Sequence, residues 1–91
     1  MNFLDHDLGQ QHAGNIVQVE LSGTEANVML LDQTNFEHYR RGREFTYHGE
    51  HVKRSPFRIT VPRSAHWHLV VDLGGYEGRT NVSVSVIAAA A

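Results

Sequence analysis

With 91 residues, the chain has room for one hydrophobic core and excludes a second domain. Its 41% hydrophobic and 20% charged residues exclude a disordered composition, and a formal net charge of −2 excludes any general pull toward nucleic acid or anionic lipid. The lack of cysteine excludes disulfides, zinc–thiolate sites and thiol nucleophiles together.

Met1 to Asp5 have neither the basic start nor the apolar middle of a signal peptide. No apolar run approaches the roughly 18–20 residues of a membrane span. A cytoplasmic protein is therefore expected. Ile16 to Leu21 alternates, with Val17, Val19 and Leu21 on one side and Ile16, Gln18 and Glu20 on the other, as a strand with one buried face requires. Ser22-Gly23-Thr24 then turns the chain, and Asn27 to Leu31 is a short apolar run.

Thr34-Asn35-Phe36-Glu37 matches a capping box, and Gly42 stands where a left-handed residue ends a helix, so the spacing predicts a short helix from Asn35 to Arg41. Phe36 and Tyr39 share a face that would pin it to a sheet. Strand signals return at Phe45 to Tyr47. In His48-Gly49-Glu50-His51 the pair Gly49-Glu50 reads as a type II′ hairpin turn. Phe57, Ile59 and Val61 alternate with Arg58 and Thr60 between Pro56 and Pro62, which suit strand ends because proline has no N–H for a ladder.

His66 to Leu73 places Trp67, Leu69, Val71 and Leu73 on a core face and His66, His68, Val70 and Asp72 opposite. Gly74 to Gly78 reads as a turn, after which Val82, Val84 and Val86 form a last strand expected to close a hairpin with the one before. The expected fold is all-β: a small β-sandwich or partly open barrel of about seven strands with one short helix. It forms a single domain over 1–87. The alanines at 88–91 are left outside the fold, as a native tail, a truncation or a cloning scar.

The run from Ser55 to Pro62, with His66-Trp67-His68 and its continuation to Tyr76, resembles the bacterial DUF1883 family, a domain of unknown function. Asn35-Phe36, Tyr39 to Gly42 and Asp7-Leu8-Gly9 extend the resemblance over nearly the whole chain. It implies an all-β protein that occurs alone or joined to TIR domains, and it carries no established site residue. A looser likeness, in architecture only, is to the small GOLD-type sandwiches that bind proteins or lipids; it tilts the expectation toward a binding module.

Seven histidines are the sharpest chemical signal, and four form two close pairs: His48 with His51 across the expected turn, and His66 with His68 on one strand face. Together these four could hold zinc, with Asp72 or Glu50 orienting a ring. The plainer account is half-exposed strand histidines with ordinary hydrogen bonds and no cofactor. Arg40, Arg41 and Arg43, with Lys53-Arg54 across a hairpin, suggest a basic patch, though arginines in a last helical turn also complement the helix dipole.

Trp67 shares its face with Leu69 and Val71 and reads as core. Gly-x-Ser-x-Gly elbows and phosphate loops are missing from the sequence, so an enzyme is not expected. The leading expectation is a non-enzymatic binding or sensing module for a protein or a small polar ligand, using Arg40, Arg41, Arg43, His48 and His51. The competing one is a zinc domain, structural or hydrolytic, built on His48, His51, His66 and His68. Exposed edge strands also admit pairing between copies into a homodimer.

Overall fold

The computed structural model describes residues 3–23, 25–72 and 80–89. Among the described residues there are seven strands, β1 (Phe3–Gln11), β2 (Ile16–Gly23), β3 (Ala26–Asp32), β4 (His48–Val52), β5 (Phe57–Thr60), β6 (Ala65–Asp72) and β7 (Thr80–Ile87), and one helix, α1 (Gln33–Arg40). They form two antiparallel sheets, ordered β1-β6-β3-β4 and β5-β2-β7. The architecture is a small all-β sandwich, not a closed barrel.

Alternation accounts for the inner core. Val17 and Val19 of β2 meet Val28 and Leu30 of β3 and Trp67, Leu69 and Val71 of β6, all essentially without solvent contact. Burying each such side chain contributes about 1.5–3 kcal/mol. Val82 and Val84 pack on this cluster from β7, and Phe57 and Ile59 from β5. Val61, just past β5, is pinned by hydrogen bonds with Asn15 and Gly14.

The other face of the four-stranded sheet is not solvent. Phe36 and Tyr39 cover it, as their spacing predicts, and bury Met29, Leu31 and Val70. β3 and β6 are therefore buried on both faces, which is why Val28 to Leu31 and Leu69 to Val71 read as unbroken apolar runs.

α1 begins earlier than the capping box suggests. Its N-cap is Asp32, whose Oδ1 accepts from the Asn35 N–H at 2.8 Å, so Thr34 lies within the first turn. At the other end Gly42 takes φ +74°, Gly42 N–H donates to Tyr39 O and Arg43 N–H to His38 O, the pair of bonds that ends a helix in a left-handed residue.

Three further expectations are corrected. Gly49-Glu50 is no turn: His48 to Val52 run straight as an edge strand on β3. Gly49, at φ +150°, lets the two backbones approach where a Cβ would overlap the Val28 carbonyl. Nor do β6 and β7 form a hairpin, for β7 lies in the other sheet and pairs with β2 along its whole length, Ile16 with Ile87 through to Gly23 with Thr80. Lys53 and Arg54 likewise lie between strands of different sheets.

β1 is a strand that alternation did not announce. Polar over most of its length, it gains its place by pairing with β6. The expected turn at Gly74 to Gly78, Leu73, Ala90 and Ala91 lie outside the described residues, while the Ala89 N–H donates to Asn15 Oδ1. Among the described residues, no helix is long and apolar enough to cross a membrane.

Candidate functional site

The outer face of the four-stranded sheet carries polar groups beyond both sides of α1. At one end, β6 presents His66 and His68 outward, and β1, in register through Asp7 and His68, presents Asp5 and Asp7 beside them. His66 Nε2 lies 2.6 Å from Asp7 Oδ1, and Asp7 Oδ1 accepts the Gly9 N–H at 2.9 Å across a register shift in β1. That backbone donor first, and then His66, hold the Asp7 carboxyl below its ordinary value of 3.8.

His68 is almost fully buried. Its Nδ1 meets Asp5 Oδ1 at 2.9 Å and its Nε2 meets Gln33 Oε1 at 2.6 Å, so one ring ties β1 and α1 to β6. Phe36 stacks on it with centroids 3.9 Å apart, and His66 stacks more loosely at 5.1 Å.

At the other end lies a groove of about 260 Å³ lined by Asn27, Met29, Tyr39, Phe45, Tyr47, Glu50, His51 and Asp72. The segment leading from α1 to β4 supplies its aromatic side and is clamped to the helix by Asn35 Oδ1, which accepts the Thr46 N–H at 2.9 Å. Phe45 sits edge-on to Tyr39 at 5.1 Å, and half-exposed Tyr47 leans on Phe45 at 5.7 Å. The Tyr39 O–H donates to Asp72 Oδ2 at 2.7 Å; burial, and then this carboxylate, push the Tyr39 phenol well above its ordinary 10.0. His51 bridges Asn27 Oδ1 at 2.8 Å and Glu25 at 3.0 Å, and this holds the Glu25 carboxyl below its usual 4.5.

The four histidines expected to share a metal do not converge. His48 faces the inner side of the sandwich, edge-on to Trp67 at 6.0 Å, whereas His51 faces outward, because the two stand three positions apart on one strand, an odd offset, and not across a turn. His51 is level with Asn27 and hence with Asp72, about 13 Å along the strands from His68. The basic patch is also diluted, for Arg40 and Arg41 both reach Glu37 Oε2, at 2.7 and 3.8 Å; Arg43 takes part in the helix end through its backbone N–H. Among the described residues no arginine lines the groove; of the expected ligand residues only His51 does.

A profile of DUF1883, a domain of unknown function, matches residues 1–90. The chain belongs to the DUF1883 family. No curated protein and no solved structure matches it.

In this DUF1883 domain the residues that sequence reasoning missed are Asp5, Asp7 and Gln33. Asp5, His6 and Asp7 are all polar and announce no strand, and only the pairing of β1 with β6 says which side chains meet the histidines. Tyr39 yields a pH prediction. Its folded-state pKa is raised, so its contribution to stability is complete below pH 10 and is lost as pH rises through the folded value. Urea unfolding between about pH 8 and 11 should show stability falling more gently with pH in Tyr39→Phe than in the parent. Parallel curves would show that Tyr39 titrates alike folded and unfolded.

Proposed function

We propose that this domain is a non-enzymatic binding module and that the groove between the segment following α1 and strand β4 takes up a cationic group, an ammonium or a guanidinium. The observation that carries this reading is the composition of the lining. Among the described residues, Tyr39, Phe45 and Tyr47 form an aromatic side, Glu50 and Asp72 are acidic, Asn27 is polar, His51 borders the groove while bonded to Asn27 and Glu25, and neither lysine nor arginine is among them. Aromatic faces attract cations by about 0.5–2 kcal/mol each, and carboxylates add the directional partner. Site-shaped concavities with an apolar floor and a few convergent polar groups are where small ligands bind.

The test is amide chemical-shift mapping with tetramethylammonium chloride and with a short arginine-containing peptide, which separates a small quaternary ammonium ion from a guanidinium side chain of a protein as the source. Saturable shifts at Asn27, Tyr47 and Glu50 are expected, with a loss of about fivefold or more in affinity for Tyr47→Ala. Shifts confined to the three-stranded sheet, or equal binding by Tyr47→Ala, would overturn the reading.

A further inference from the structure

We infer that Asp7, His66 and His68 form a binding site for a divalent transition metal, with zinc the best fit to the donors. Each residue offers one ligand atom, and these atoms lie within 4.8 Å of one another. In a tetrahedral zinc site with bonds near 2.0–2.1 Å, ligand atoms stand roughly 3.3–3.5 Å apart, so modest side-chain rotation closes the cluster. The freedom lies where it is needed, since the His66 and Asp7 side chains are 41% and 56% exposed.

The backbone supplies the arrangement. His66 and His68, two apart on β6, project from the same face, and Asp7 is the β1 residue in register with His68. The Gly9 N–H fixes one oxygen of the Asp7 carboxylate. His68 is the rigid member, held between Asp5 on Nδ1 and Gln33 on Nε2 and stacked on Phe36. Whichever of its nitrogens meets the ion, the other keeps an acceptor that sets the ring's orientation, the supporting contact that metal-bound histidines ordinarily have. Two imidazoles and one carboxylate leave a fourth position for water or for a neighbouring oxygen such as that of Gln33. This site is separate from the groove, about four residues away along β6.

Zinc chloride titrated into untagged protein, followed by calorimetry and by thermal melting, decides the matter. The expected result is one zinc per chain, a melting midpoint raised by several degrees, and affinity reduced at least tenfold in both His66→Gln and Asp7→Asn, with Tyr47→Ala unchanged. Those two positions are exposed enough for the variants to fold. Should either fail, the imidazole nitrogen resonances of His66 and His68 in the parent must still shift with zinc. An unmoved midpoint and unshifted imidazole nitrogens at tenfold excess zinc, or undiminished binding by His66→Gln, would overturn the assignment and leave the cluster as a hydrogen-bonded staple between β1, β6 and α1.

Discussion

Gly49→Ala should lower stability by about 2–4 kcal/mol and remove cation binding in the groove, an effect out of proportion to one methyl group at an exposed edge. A Cβ here would overlap the Val28 carbonyl oxygen and lie 2.9 Å from its carbon and 3.1 Å from Met29 Cα. All three are backbone atoms of the central strand β3, which is buried on both faces and cannot yield. Alanine is also strained at φ +150° regardless of space. Strand β4 must therefore move, giving up its register from Ala26–Val52 to Leu30–His48 and withdrawing Val52 from the core. Because β4 carries Glu50 and His51, the groove should lose its outer side at the same time. Urea denaturation and amide shifts of residues 48–52 test this; a stability within about 0.5 kcal/mol of the parent would refute it.

Trp67→Ala should cost about 3–5 kcal/mol, a large part of the roughly 5–15 kcal/mol of stability that native domains have. The indole is 2% exposed, the largest side chain in the inner core, and its N–H donates to the Arg63 carbonyl at 2.9 Å. Arg63 also places its guanidinium 5.3 Å from the ring while bonding Asp32, the N-cap of α1, so the indole supports a strand and a helix start together. Truncation opens a cavity between two sheets that are fastened by antiparallel ladders and cannot fully collapse. A fall in melting temperature of at least about 12 °C is expected, with Trp67→Phe intermediate. A drop of less than about 5 °C would mean that the core repacks around the loss.

Both positions bear on how much of the molecule was legible in its residues. Trp67 was readable as core because Leu69 and Val71 follow it at strand period. Gly49 was misread because a glycine between polar residues signals a turn equally well as a close backbone approach, and only the neighbour at Val28 distinguishes them. The histidines divide in the same way. His66 and His68 share a face by local geometry alone. Whether His51 joins them depends on β3 lying between β4 and β6.

The sequence by itself determined the local periods: the inner faces of β2, β5, β6 and β7, the apolar face of α1 with Phe36 and Tyr39, and the left-handed stop at Gly42. Side chains within a few residues dictate these features, because alternation and helical spacing are properties of a single segment. Tertiary structure alone decided that polar β1 is a strand, that β7 joins β2 instead of β6, and that Asp5, Asp7 and Gln33 meet the histidines. Each of these joins residues far apart in the chain. The free energy that selects such pairings comes from burying two sheet faces and one helix at once, a quantity no single segment contains.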